Sequence, residues 1–281
     1  MHIAITGASG FVGRRLIQAF ESDKHAITRL GRDVGKDLPG SSAPDAVVHL
    51  AGEPVSQRWT EAVKRRIRDS RIIGTRSLVD AIGKLPTKPR VLVSASAVGL
   101  YGDRGDELLS ESAKGADGFL ADVCRGWEAE ADKAAVLGVR VVKIRIGLVL
   151  GRDGGALGTM LTPFRLGLGA RLGDGKQWMS WIHLDDLVGM IRFAVEQETA
   201  TGVWNGVGPN PVTNAEFTRK LAAAVHRPAW FVAPEFLVKI GAGEMAQILF
   251  FSQRCVPAAP LAAGFQFRYP ELGEALRAVV S

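Results

Sequence analysis

Residues 1–13 read MHIAITGASGFVG, and this stretch decides the fold. A short apolar run, His2 to Thr6, meets Gly7, Gly10 and Gly13 at three-residue spacing, and a helical pattern over 11–21 follows at once. A strand, a tight glycine turn and a helix start together make a cradle for a dinucleotide pyrophosphate. Gly7 lets the turn form, Gly10 lets backbone come close to phosphate, and Gly13 lets the helix pack closely on the strand. The helix start, with Ser9, Phe11 and Val12, offers free N–H groups and a partial positive charge to the anion.

The same texture continues outward. Strands are expected at 25–30, 46–50, 90–94 and 140–146, and helices at 60–83 and 120–137. Continuous runs such as Val47-Val48 and Val141-Val142 fit strands buried on both faces. The alternation predicts an α/β protein: a Rossmann-type doubly wound parallel sheet with a smaller, mostly C-terminal α/β substrate lobe. Its ligand crevice lies at the carboxyl ends of the strands. The cofactor core is expected over 1–150 and the substrate lobe over 151–281. A strand at 177–184 and a helix at 185–196 return toward the core, and a small C-terminal domain spans about 228–281. Glycines crowd 151–175, which reads as loop-rich chain near a site or as plain turns. Thr213 and Glu216 have capping-box spacing and start a helix running to about 225. The apolar segment 236–251 reads as a core helix.

Cofactor choice is read where the second strand ends, Thr28-Arg29-Leu30-Gly31-Arg32-Asp33. An arginine there favours a ribose 2′-phosphate, whereas a carboxylate favours a free hydroxyl. Gly31 and Arg32 therefore point to NADP(H) ahead of NAD(H). Arg32 also reads as a solvated loop charge, and Asp33 is able to bond a ribose hydroxyl. Leu50, Ala51 and Gly52 follow the third strand and let backbone lie against the adenosine. Arg71, from a basic helix, and Ser94, on the fourth strand, complete the expected cofactor set.

Composition narrows the classes. The 281 residues carry 35 Lys plus Arg against 29 Asp plus Glu, a formal charge of +6. These charges form no stripe interleaved with aromatics, which argues against nucleic acid as partner. No run of about 20 uncharged apolar residues crosses a membrane. No basic-then-apolar leader opens the chain, so a cytoplasmic setting is expected. Cys124 and Cys255 match no metal-ligand spacing and read as reduced thiols. No metal is expected, and the expected partner is a small-molecule substrate, with oligomeric state left open.

GASGFVG, HLAG after the third strand, SASAVGLYG after the fourth and GDGKQWMSWIHLDDL resemble the extended short-chain dehydrogenase/reductase superfamily. HLAGEPVSQRW, SRIIGTR and NPVTNAEF resemble its atypical "epimerase family protein" branch, which carries a small extra C-terminal domain. The resemblance implies a Rossmann-type fold, NADP(H) and an oxidoreductase or epimerase acting on a polar, sugar-like alcohol or carbonyl. It also implies a Ser, Tyr and Lys set with the last two as Y-x-x-x-K, in which Lys⁺ lowers the tyrosine pKa. Ser96 keeps the serine. Aligning Glu128 with the acidic residue after that motif puts Leu120 at the tyrosine and Cys124 at the lysine. The chain has no Y-x-x-x-K, and Met179 and Ser180 stand where sugar-nucleotide enzymes carry an arginine and an aspartate.

The candidates for catalysis are therefore Ser96, Tyr101 and His183. Tyr101, in the loop after the fourth strand, reads as a substitute acid or as a packing and substrate contact. His183, beside Asp185 and Asp186, reads as a general acid/base or as a hydrogen-bonded residue at the lobe junction. Trp178 and Trp181 read as an apolar wall of the substrate cleft or as core. Lys143 and Arg145 share one face of a buried strand and meet cofactor, acidic partners or solvent. A non-catalytic NADP(H)-binding regulator or sensor is the competing class, because the proton-transfer pair is missing.

Overall fold

The structure, a computed structural model, describes residues 1–32, 34–38, 43–152 and 154–280. Six strands form one parallel sheet: β1 (His2–Thr6), β2 (Ala26–Leu30), β3 (Ala46–His49), β4 (Val91–Ala97), β5 (Arg140–Ile146) and β6 (Gly202–Gly206). Their spatial order is β6-β5-β4-β3-β1-β2. Helices α1 (Phe11–Ser22), α2 (Glu61–Lys84), α3 (Phe119–Asp132) and α4 (Leu184–Glu196) cover the sheet. This is the doubly wound α/β architecture expected. The order reverses after β2, which puts a topological switch point between β1 and β3, where ligands bind in such sheets.

Two cores flank the sheet. Ile3, Ile5, Val48 and Val93 pack with Leu16 and Phe20 of α1 and Leu187 and Ile191 of α4. Ala4, Val47 and Leu92 face the other way, onto Leu78 and Ile82 of α2 and Ala131 of α3. Alternate residues of one strand thus serve opposite layers, which is why the strands read as unbroken apolar runs.

Four expectations change. The 177–184 strand is two pieces, Trp178–Met179 and Trp181–His183, neither in the main sheet. Ser180 breaks it, donating its hydroxyl to Gln253 O and accepting from Cys255 N. The sheet's sixth strand is instead Gly202–Gly206. The glycine-crowded segment contains a helix, Gly155–Arg165, which buries Leu157, Leu161 and Phe164. Those three lie at helical spacing, and Gly154, Gly155 and Gly158 around them mask the periodicity. The expected core helix at 236–251 is a helix at Glu235–Ala242 with no buried residue, a 3₁₀ turn at Gly243–Ala246 and a short helix at Gln247–Phe250. Gly243, at φ +61°, ends the first helix. The Thr213 cap forms as expected, its hydroxyl accepting from Glu216 N at the start of the helix Asn214–Ala224.

The C-terminal part is tied to the sheet through the first turn of α4. Asp186 is buried and accepts from Arg268 N at 2.7 Å and Tyr269 N at 3.0 Å. Asp185 binds Arg15 of α1 at 2.8 Å. Replacing Asp186 by Ala leaves two part-buried backbone donors without their acceptor, and the expected cost is about 1–3 kcal/mol. Thermal melting of Asp186→Ala checks this. A melting point unchanged from wild type contradicts the tie.

Candidate functional site

The glycine cradle is built as its chemistry requires. Gly7 has φ +70°, and a Cβ there would stand 2.7 Å from Leu50 C. A Cβ on Gly13 would stand 2.2 Å from the Gly7 carbonyl oxygen, so α1 rests on the turn only because position 13 has no side chain. Gly10 caps α1 without any side-chain hydrogen bond, and the first turn holds no acidic residue. Ser9 and Gly10 are exposed. The helix start therefore keeps unsatisfied N–H groups and its partial positive charge toward the crevice, which fits an anionic pyrophosphate. Val12, in the first turn of α1, is half-buried against the core. Phe11 turns the other way, and a Cβ on Gly151, Gly154 or Gly155 would come within 2.6–2.9 Å of its ring. Part of the glycine crowding after 150 is thus room for Phe11.

The remaining cofactor candidates divide. Gly31 and Arg32 are exposed just past β2, with Gly31 N donating to Asp37 Oδ2 at 2.6 Å. Arg32 acts on Glu53, whose carboxyl sits below its ordinary value, first through a hydrogen bond from Gln57, then through Arg66 and, more weakly, Arg32. Asp33 lies outside the described residues. Leu50 and Ala51 donate their N–H groups to Thr6 Oγ1, which fixes the turn after β3. Gly52 is exposed and lies under the Arg71 guanidinium. Arg71 itself donates to Glu53 O and Ile67 O and lies 5.1 Å from the Trp127 ring. Both hydrogen bonds run from Nη1 and hold the guanidinium between α2 and the loop after β3. Ser94 is buried, its hydroxyl on Ala95 O.

Beneath this edge runs a buried polar chain that the sequence reading missed. Thr6 Oγ1 lies 2.6 Å from His49 Nδ1, and His49 Nε2 lies 2.9 Å from Thr75 Oγ1. Burial, then the charge of Arg71, pushes the His49 pKa down to about 4. The imidazole is neutral at pH 7, so one ring nitrogen donates and the other accepts between the Thr6 and Thr75 hydroxyls.

Ser96 and Tyr101 meet in a second buried network. Ser96, 2% exposed, donates to Glu128 Oε1 at 2.6 Å. Arg145 donates to both Glu128 oxygens, at 2.8 and 2.9 Å, and to Tyr101 OH at 2.9 Å. Tyr101 donates to Asn205 Oδ1 at 2.8 Å, and Asn205 Nδ2 donates to Leu109 O and Val256 O. Burial pushes the Tyr101 phenol up to about 12, against the pull of Arg145. Burial also works against the Glu128 carboxylate, but Arg145 and Ser96 outweigh it and hold its pKa below the ordinary value. Lys143, on the same strand face, binds Asp132. Both strand charges thus meet acidic partners, and Glu128 and Asp132 lie four apart on α3. Two cations at i and i+2 of a buried strand, with acids at i and i+4 of the preceding helix, were the signal for Glu128.

Leu120 and Cys124 stand one turn apart on α3 and face the end of β4. Gly99 lies against Leu120, and Cys124 Sγ is 3.7 Å from Ala97 O. Burial, then Glu128, pushes the Cys124 thiol up to about 11. His183 belongs to neither network. Its Nδ1 accepts from Asp185 N as the cap of α4, and its ring lies 4.0 Å from that of Tyr269. Burial lowers its pKa. Trp181 is wholly buried, with its N–H on Asn210 O, and has no surface from which to touch a ligand. Trp178 is half-buried, donating to Asp106 with Arg254 stacked 4.3 Å from its ring. At the other end of the sheet Asp23, His25 and Glu196 converge. Arg192 already pairs with Asp23, and the N-terminal amine lies 3.2 Å from His25 Nδ1.

A parallel sheet with a glycine cradle at its switch point defines a dinucleotide-binding protein of the short-chain reductase type. The chain belongs to the NAD dependent epimerase/dehydratase family, whose profile matches residues 3–205, and residues 233–279 match a domain of unknown function, DUF1731. It is 41% identical to an epimerase family protein, SDR39U1 homolog, chloroplastic, of Arabidopsis thaliana, over 100% of this chain and 87% of that one. The human epimerase family protein SDR39U1 was solved with NADPH. It is 36% identical, has a TM-score of 0.93 and is matched over 99% of each chain. MoeE5, solved with UDP-glucose and NAD, is 20% identical with a TM-score of 0.79 over 99% of this chain and 97% of that one, and shares the fold. These likenesses place the chain in the atypical extended branch of the superfamily.

Two outcomes follow from the buried networks. The folded His49 pKa of about 4 lies below its ordinary 6.5, so the unfolded chain takes up a proton that the fold excludes. That stability is complete above pH 6.5 and is lost as the pH falls toward 4, by up to about 3 kcal/mol. Urea unfolding at pH 7 and pH 5 measures the loss, and His49→Gln flattens it. Glu128→Ala leaves Arg145 buried and unpaired, and a loss of about 3–5 kcal/mol in the same assay is expected.

Proposed function

We propose that the protein holds NADP(H) as its working ligand at the carboxyl edge of the sheet. The observation that carries this is the α1 start, with its open N–H groups over a turn that only glycine at 7 and 13 permits. Gly7, Ser9, Gly10, Phe11, Val12 and Gly13 would hold the pyrophosphate, and Leu50, Ala51 and Gly52 would flank the adenosine. Gly31 and the exposed Arg32 would receive the 2′-phosphate, giving NADP(H) preference over NAD(H). The NADPH bound to the human relative supports the same reading. A bound nicotinamide would be the hydride source of any turnover.

We favour a regulatory or sensing use of that ligand over turnover. The superfamily's chemistry needs a hydroxyl able to give and take a proton. Ser96 gives its proton to Glu128, Tyr101 is buried with its pKa raised, and His183 caps a helix. Leu120 and Cys124 occupy the tyrosine and lysine places. An oxidoreductase or epimerase acting on a polar, sugar-like alcohol or carbonyl would have to move its proton through water. A reducing compartment such as the cytoplasm suits Cys124 and Cys255, both free and buried. Among the described residues no helix is long and apolar enough to cross a membrane.

Titration with NADPH and NADH tests the first part. NADPH binds more tightly, and Arg32→Ala weakens it by about 10- to 100-fold while leaving NADH unchanged. Gly13→Ala abolishes binding of both. Equal affinities for the two cofactors contradict the Arg32 assignment. A panel of carbonyls and nucleotide sugars tests the second part: no hydride exchange is expected. Turnover that Ser96→Ala removes at unchanged NADPH affinity would falsify the regulatory reading.

A further inference from the structure

Arg71 carries a charge without a counter-ion. It stands on α2 one turn before Thr75, whose hydroxyl meets His49 at the end of β3, so the half-buried guanidinium lies level with the crevice. Nη1 donates to Glu53 O and Ile67 O, whereas Nε and Nη2 have no acceptor among the described residues. A Cβ on the exposed Gly52 would stand 3.1 Å from Cζ and from Nη2, so the free donors lie at the loop that flanks the cofactor edge. The nearby carboxylates are taken. Glu53 accepts from Gln57 and Arg66, and Glu128 accepts from Arg145 and Ser96. The other groups around the guanidinium are uncharged at pH 7. Burial holds the His49 pKa down at about 4 and pushes the Cys124 thiol up to about 11. The Trp127 ring, 5.1 Å away, gives only its π face. Burial lowers the Arg71 pKa, yet an arginine stays protonated at pH 7. An unpaired cation partly out of water sets a positive potential over the ends of β3 and β4.

We propose that Arg71 makes the protein selective for the reduced cofactor, so that it binds NADPH and disfavours NADP⁺. This rests on the NADP(H) reading above and names what the ligand would report. With the pyrophosphate over β1 and the 2′-phosphate past β2, the nicotinamide end runs the other way, over β3 toward β4. Arg71 stands on that path, between the loop after β3 and Cys124 of α3, whose Sγ lies 3.7 Å from Ala97 O at the end of β4. The two redox forms differ there by one charge: the oxidised ring is a pyridinium and the reduced ring is neutral. A second cation roughly 8 Å from the guanidinium, at an effective dielectric constant of about 20, lowers affinity by about 10- to 30-fold. This discrimination is electrostatic and uses no proton transfer. It therefore works in a chain that has Leu120 and Cys124 where the superfamily has its tyrosine and lysine.

Calorimetric titration of the full chain with NADPH, NADP⁺, 2′,5′-ADP and 2′-phospho-ADP-ribose tests this. NADPH binds about 10- to 30-fold more tightly than NADP⁺, and Arg71→Gln brings the two within about 3-fold. Arg71→Lys keeps the gap, because it keeps the charge. The fragment 2′,5′-ADP has no nicotinamide half and binds wild type and both variants alike, which shows that the cradle is intact. A second readout needs no variant. The ligand 2′-phospho-ADP-ribose keeps both riboses and the pyrophosphate but has no pyridinium, and it binds wild type at least as tightly as NADP⁺ does. Equal affinities for NADPH and NADP⁺, a gap that survives Arg71→Gln, or tighter binding of NADP⁺ than of 2′-phospho-ADP-ribose overturns the proposal and leaves the cofactor reading standing. Failure of every ligand, 2′,5′-ADP included, overturns the cofactor reading and this proposal with it.

Discussion

Helix α1 rests on the carbonyl oxygen of Gly7, and it does so because Gly13 has no side chain. Much else hangs on that contact. It fixes the open N–H groups over the turn. It aims Phe11 into the space that Gly151, Gly154 and Gly155 leave clear. It also sets Arg15 within reach of Asp185 on α4. The neighbouring Asp186 then holds the backbone of 268–269, and His183 caps the same helix against Tyr269. The HLDDL segment, read in isolation, suggests acid/base chemistry. In the fold it is the bracket joining α1 to the C-terminal chain.

A second constraint acts under β4. Lys143 and Arg145 lie on a strand at the centre of the protein, where an uncompensated charge is not tolerated. Asp132 and Glu128 answer them from α3. The Glu128–Arg145 pair then draws in Ser96 and Tyr101, the two hydroxyls that look most like reaction residues. Such a pair adds little net stability against an apolar core, but losing either member is costly. The network therefore gives both hydroxyls a structural partner at the carboxyl end of β4. It holds the Ser96 hydroxyl on Glu128 and the Tyr101 hydroxyl between Arg145 and Asn205.

The sheet was legible in the sequence because β1, β3 and β4 carry buried apolar runs that alternate with helical patterns. The cradle was legible because three glycines at fixed spacing have one economical use. The strand Gly202–Gly206 was harder to see, since Trp204 and Asn205 interrupt any simple pattern. The helix Gly155–Arg165 was hidden by glycines that serve packing rather than flexibility. The reading of 236–251 as one core helix failed because Gly243 breaks it: Met245, Ala246 and Ile248 pack inward, whereas Glu235–Ala242 holds no buried residue. Trp181 and Tyr101 show a further limit: an aromatic beside a cleft motif is buried or exposed according to contacts with Asn210 or Asn205, distant in sequence.

The central claim is that the cradle holds NADP(H) while the nearby hydroxyls stay bound to the protein. A crystal structure of the chain with NADPH tests it most directly. The account expects pyrophosphate on the α1 N-terminus, Ser96 Oγ still on Glu128 and Tyr101 still on Asn205. A structure in which either hydroxyl turns to the nicotinamide, or in which the pyrophosphate lies away from Gly10, contradicts it.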